Sequence, residues 1–151
     1  MAYLEDFEVG QTHGFGRYEV TREEVLEFGR RWDPQPFHLS DEGAAKTHFG
    51  SLSASGWHTA AMTMAMTVAA WDESEGGTLG AIGVDNLRWL QPVRPGDVLR
   101  VEAEILEVRP SEKRPEMGSV RSRNTVFNQK DEPVMRFEPI VLYRRREQAG
   151  S

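Results

Sequence analysis

The stretch "WDPQPFH", Trp32 to His38, holds a carboxylate and an imidazole five residues apart. Histidine titrates near neutral pH and aspartate is normally ionised there, so such a pair can hold, deprotonate and reprotonate a water molecule. Pro34 and Pro36 each fix φ and remove a backbone donor, which stiffens the chain between the two groups. The same spacing also suits a structural role, with Asp33 capping a helix or turn and His38 partly buried at the surface. A second candidate lies at Ser55-Gly56, just before a long apolar run. The first turn of a helix presents unpaired N–H groups and a partial positive charge. A glycine there lets a ligand approach the backbone closely. A carbonyl oxygen set at this end would be polarised, and an enolate forming on it stabilised, as in an oxyanion hole. Alternatively, Gly56 only permits a sharp entry into a buried helix.

Other chemistry finds less support. His13, His48 and His58 are widely separated, and no pair has the short chelate spacing of a zinc site, so no metal is expected. His58 falls on the first turn of the apolar helix, where it is expected to satisfy a buried hydrogen bond. There is no cysteine, hence no disulfide, thiolate nucleophile or thiolate metal site. "GFG" at Gly14 to Gly16 lacks the strand–turn–helix context of a phosphate loop, and no serine stands in a nucleophile elbow. Met62, Met64 and Met66 read as core filler.

The elements that must position these groups are legible from periodicity. Polar and apolar residues alternate from Arg17 to Val20, as in a half-buried strand. Thr21 and Glu24 form a capping-box pattern, and Val25, Phe28 and Trp32 recur at helical spacing. Pro34 disfavours helical geometry at Asp33, which places Asp33 at a helix exit. Ser40 and Asp41 start a second short helix through Ala44 and Ala45. Trp57 to Trp71 is apolar on nearly every face and too short to span a bilayer, so it is expected to be enclosed by protein. Leu79–Leu90, Leu99–Ile105, Val120–Phe127 and Val134–Tyr143 read as strands. The first of these changes phase between Val84 and Leu87, which predicts a bulge near Asp85 and Asn86. "QKDE" is a hairpin connection. The order argues an α+β fold, one strongly curved antiparallel sheet around one helix.

A length of 151 residues favours a single domain with a real core. The formal net charge of −6 argues against a nucleic-acid footprint. The one dense basic cluster, Arg144 to Arg146, reads as the start of a solvated tail over 144–151. The first ten residues show no basic segment followed by an apolar run, and no stretch is long enough to cross a membrane, so cytoplasm is the expected location.

"DPQPFH" resembles the D-x-N-P-x-H hydratase motif of the MaoC-like dehydratases, which include the (R)-specific enoyl-CoA hydratases. "ASGWHTAAM" is similar to the segment that begins that family's central helix, and "LRWLQPVRPGD" to the strand and turn that follow. The resemblance runs from about Phe7 to Tyr143. It implies a hotdog fold and reversible hydration of trans-2-enoyl-CoA thioesters to 3-hydroxyacyl-CoA, with no metal or redox cofactor. Carried over, Asp33 and His38 are the catalytic pair and the backbone N–H of Gly56 binds the thioester oxygen, with Gln35 and Ser55 in support. Gln35 stands where the motif has Asn, which puts the acyl group accepted in question. Arg88, Arg94 and Arg121 are candidates to meet the phosphates of coenzyme A, each of them alternatively an ordinary surface arginine. Hotdog proteins usually pair through sheet edges, so a homodimer or higher assembly is expected. A hotdog thioesterase and a non-catalytic acyl-CoA-binding protein are the alternative functions.

Overall fold

A computed structural model describes residues 3–71 and 78–146. A 3-10 turn at Leu4–Asp6 leads into strand β1 (Thr12–Glu19), helix α1 (Arg22–Trp32), a second 3-10 turn at Pro36–His38 and the short helix α2 (Asp41–Ala45). Helix α3 (Gly56–Ala70) follows, then four strands: β2 (Thr78–Trp89), β3 (Val98–Pro110), β4 (Met117–Phe127) and β5 (Pro133–Arg144). The strands form one antiparallel sheet in the order β1-β3-β4-β5-β2, with α3 across its concave face. This is the expected α+β architecture.

Local sequence accounts for the elements near the site. Thr21 accepts a hydrogen bond from the amide of Glu24 at 3.2 Å and so starts α1. The Glu24 carboxylate takes the Tyr18 hydroxyl at 2.6 Å, so only half of the capping box forms. That bond, with burial and the charge of Glu24 behind it, pushes the Tyr18 phenol up to about 12. α1 stops at Asp33, whose amide bonds the carbonyl of Gly29. Ser40 caps α2 through the amide of Gly43 at 2.9 Å. The β2 register slips between Asp85 and Arg88, and Asn86 takes a positive φ of 53°, the bulge that the phase change announced.

The main core lies between α3, α1 and the sheet, where Val25, Leu52, Leu99, Val101, Val126 and Val134 are fully buried. The hydroxyls of Thr59, Thr63 and Thr67 bond back to carbonyls four residues earlier, which satisfies them inside an apolar helix.

Four expectations need correction. α3 is not enclosed: Met62 and Met66 are buried, but Trp57, Met64 and Val68 are 60%, 51% and 45% exposed, so Met64 is not core. The sheet and α1 cover one side of the helix and leave another open. Arg144 to Arg146 do not begin a free tail. Arg144 closes β5, while Arg145 and Arg146 pair with Glu5 and Asp6; residues 147–151 lie outside the described residues. The packed structure also reaches before Phe7, where the resemblance starts, because Leu4 packs with Ile105, Val120 and Tyr143. Finally, the buried Nδ1 of His58 has no hydrogen-bond partner among the described residues; its ring stacks on Phe28 at 4.8 Å. Burial lowers its pKa, against the opposing charge of Glu24.

Candidate active site

The segment from Asp33 to His38 is clamped between two helices. A Cβ at Gly29 of α1 would strike the carbonyl oxygen of His38, and one at Gly43 of α2 would strike that of Pro36. Both helices therefore seat directly on the backbone of the turn. His38 is buried, flanked by Phe37 and Phe49. Its Nδ1 lies 2.7 Å from the carbonyl oxygen of Ser53. A carbonyl only accepts, so Nδ1 carries the proton and Nε2 is left with its lone pair. Nε2 stands 3.4 Å from Asp33 Oδ2. The stiff turn thus brings the two groups together, with the aspartate the more exposed of the pair.

Asp33 has two further partners. Gln35 Nε2 donates to Oδ1 at 2.6 Å and Ser55 Oγ donates to Oδ2 at 2.8 Å. Burial pushes this carboxyl up, but the bonds from Gln35 and Ser55 and the nearby charge of His38 outweigh it, and the pKa ends below its ordinary value. The longer Gln35 side chain therefore still reaches the aspartate.

Ser55 occupies the N-cap position of α3, yet its hydroxyl makes no capping bond. Turned to Asp33 instead, it leaves the amides of Gly56, Trp57 and His58 without an acceptor among the described residues. A polar helix end thus opens beside the Asp33–His38 pair. Gly56 has a packing reason as well. Its carbonyl accepts Trp89 Nε1–H at 2.9 Å, and a Cβ there would run into the indole.

A cavity of about 790 Å³ runs along α3 from Trp57 to Trp71, between the helix and the concave face of the sheet. Asp33 and His38 do not line it, but Trp57, next to Gly56, does. Its walls are mostly apolar.

Two of the three arginine candidates are already engaged. Arg94 donates to the carbonyls of Phe49 and Ser51 and to the Ser51 hydroxyl, pinning the loop before α3. Arg121 is tied to Asp85 at 2.5 Å and to Glu138 at 3.2 Å. Both guanidinium groups are thus occupied within the chain. Among the described residues Arg88 bonds only its neighbour's carbonyl, that of Leu87. Sequence reasoning missed Ser53, which acts through its backbone and so leaves no side-chain signal. It also missed the contact of Trp89 with Gly56, which joins residues 33 positions apart.

A five-stranded antiparallel sheet around one helix, with an Asp–His pair at the helix start, defines a hotdog protein of the dehydratase type. The model of the MaoC-like domain matches residues 6–127, and the chain belongs to that family. The crystal structure of a MaoC-like dehydratase from Rhodospirillum rubrum superposes with a TM-score of 0.88 at 40% identity, covering 97% of this chain and 99% of that one. The R-hydratase PhaJ1 of Pseudomonas aeruginosa gives 0.71 at 28% identity, with coverage of 99% and 93%. A 3-hydroxybutyryl-CoA dehydratase of Methylorubrum extorquens is 31% identical over 97% of this chain and 87% of its own length.

Proposed function

We propose that the chain is an enoyl-CoA hydratase, adding water reversibly across the double bond of a trans-2-enoyl-CoA to give a 3-hydroxyacyl-CoA. The observation that carries this reading is the 3.4 Å approach of His38 Nε2 to Asp33 Oδ2 beside an uncapped helix N-terminus. A water in front of both atoms meets one good base. Asp33 is a weak one, since its charge is already stabilised by Gln35 and Ser55. His38 takes the proton while the water oxygen bonds to the β-carbon. The electron pair of the double bond moves through the α-carbon onto the thioester oxygen, which rests on the amide of Gly56. Asp33 stabilises the imidazolium, and the proton returns from His38 to the α-carbon as the enolate collapses. Nothing is oxidised or reduced, and no metal or other cofactor is needed. General acid–base help of this kind contributes on the order of 10²–10⁴-fold, and one oxyanion donor ~10²–10³-fold.

The reading includes a homodimer. β2 is a twelve-residue edge strand on which Ile82 and Val84 are 66% and 50% exposed, and α3 leaves Met64 and Val68 open. Apolar edges and faces of this kind are normally covered. Of the arginine candidates only Arg88 is retained for the coenzyme phosphates.

The test follows the ultraviolet band of the conjugated enoyl thioester, with chelator present. Hydration removes the band and leaves the thioester intact. Release of free thiol would make the protein a thioesterase, and binding with neither change would make it a non-catalytic acyl-CoA binder. Activity lost in chelator and restored by zinc would overturn the metal-free mechanism.

A further inference from the structure

We propose that Asn124 and Ser122, on the concave face of the sheet, form a hydrogen-bonding subsite for a neutral oxygen substituent, a hydroxyl or keto group, carried on the acyl chain beyond the reacting carbons. This rests on the hydratase reading above and names the substrate class within it.

The concave face of β4 is apolar at Val120 and Val126, but between them stand Ser122 and Asn124, both lining the cavity along α3. Asn124 is only 6% exposed. Its Oδ1 accepts the Ser122 hydroxyl at 2.9 Å, and its Nδ2 donates to no described group. Opposite lies His13 of β1, whose buried Nε2 also lacks a partner. The register sets these groups in one row across the sheet, His13 beside Ala103 and Ala103 beside Asn124. The short side chain of Ala103 leaves the space between them open. Buried polar groups are nearly always hydrogen-bonded, and a buried imidazole nitrogen without a partner, in one row with an amide donor that faces the same apolar cavity, calls for a ligand that completes them.

The position suits the far part of an acyl chain. Trp89, which holds the Gly56 carbonyl, pairs with Met135, and Asn124 pairs with Phe137, two residues further along β5. The row therefore lies about 7 Å along the strands, and two strands across, from the level of the oxyanion site. Charge selects the substituent. No Lys or Arg among the described residues lines the cavity, and the imidazole in the row, His13, would have to take up a proton before it could pair an ionised carboxylate. A hydroxyl or keto oxygen accepts from Nδ2 of Asn124 without that penalty.

The test uses saturated acyl-CoA thioesters bearing a hydroxyl at successive positions beyond the third carbon, each beside its unsubstituted parent. Binding is measured by titration calorimetry on the wild type, Asn124→Leu and Ser122→Ala, and turnover with the matching enoyl thioesters. At least one hydroxylated member is expected to bind about tenfold or more tightly than its parent. Asn124→Leu should abolish that preference and Ser122→Ala reduce it; the milder Ser122→Ala carries the test if the leucine variant fails to fold. The inference is overturned if every hydroxylated member binds more weakly than its parent, or if the variants weaken both members alike. A hydroxyl preference in binding with no loss of the enoyl band would sink the hydratase reading alone. Turnover of the parents with no hydroxyl preference would sink the subsite alone, and no binding of any member would sink both.

Discussion

Replacing the two members of the pair tests the shared water directly, and the structure dictates which substitutions are clean. In Asp33→Asn the amide oxygen can stay on Gln35, which places the new NH₂ at the Oδ2 position, facing Ser55 Oγ and His38 Nε2. The charge beside the imidazole disappears, and the lone pair that should take the proton is engaged by an amide donor. Turnover should fall at least ~10²-fold, with little change in fold. His38→Ala is a poor probe. It leaves the buried carbonyl of Ser53 without its donor and opens a hole against Phe37 and Phe49. The lost partner alone costs about 1–3 kcal/mol, which lowers the melting temperature by roughly 2–12 °C in a chain of this size. His38→Asn is better, since its amide can donate to Ser53 from near the Nδ1 position and only Nε2 is removed. It should also lose at least ~10²-fold in kcat while melting within a few degrees of wild type. If the groups act on one water, Asp33→Asn with His38→Asn should be scarcely worse than the worse single variant, because members of a unit are not additive. The assay is enoyl-CoA turnover beside thermal melting for all four variants. Near-normal turnover in a folded single variant would refute the shared water, and fully additive losses would refute the joint action.

Gln35→Met removes one of the bonds that hold the Asp33 carboxyl below its ordinary pKa, while the burial that raises it remains. A depressed carboxylate contributes stability above its unfolded pKa that is lost as pH falls through the folded one, so the melting-temperature advantage of wild type over the variant should shrink as pH falls through the carboxylate range; an advantage that is constant or grows on acidification counts against the assignment. Gly56→Ala should destabilise the fold by about 1–3 kcal/mol through its clash with the Trp89 indole, and Trp89→Leu in the same chain should recover much of the loss; an unchanged melting temperature in the alanine variant would reject the packing argument. Light scattering of the native protein should give at least twice the 17.1 kDa chain mass, and the monomer mass at every concentration would exclude the dimer.

Much of this fold was legible because its signals are local. Thr21, Val25, Phe28 and Trp32 mark α1 by capping and spacing, and the alternation from Leu99 to Ile105 marks β3. The phase change in β2 marked a real bulge. β1 begins at Thr12, earlier than its alternation shows, because Gly14 and Gly16 carry no side chain to display the period. The open side of α3 was illegible for another reason: apolar composition says that a face needs cover, not which chain supplies it. The roles of Arg94 and Arg121 were out of reach too, since their partners lie 43 to 45 and 17 to 36 residues away. At the site, "WDPQPFH" announced the pair, but the bond that orients the imidazole comes from the backbone of Ser53 and could not be read from side-chain types.

Ser55 ties these features together. A serine at an N-cap normally bonds the amides of the first turn, and its loss there costs on the order of 1 kcal/mol. Here the hydroxyl forgoes that bond and donates to Asp33. The helix end keeps its partial positive charge unsatisfied by its own side chain, and the nearby carboxylate supplies negative charge that favours this terminus. In the proposed hydration, one hydroxyl thus couples the group that would steady the imidazole to the group that would receive the enolate charge. Capping the helix in the ordinary way would release Asp33 and at the same time begin to fill the proposed oxyanion site. The local stability forgone at α3 is therefore bound up with the two features that the proposed hydration would require, on a turn that Gly29 and Gly43 let α1 and α2 close upon.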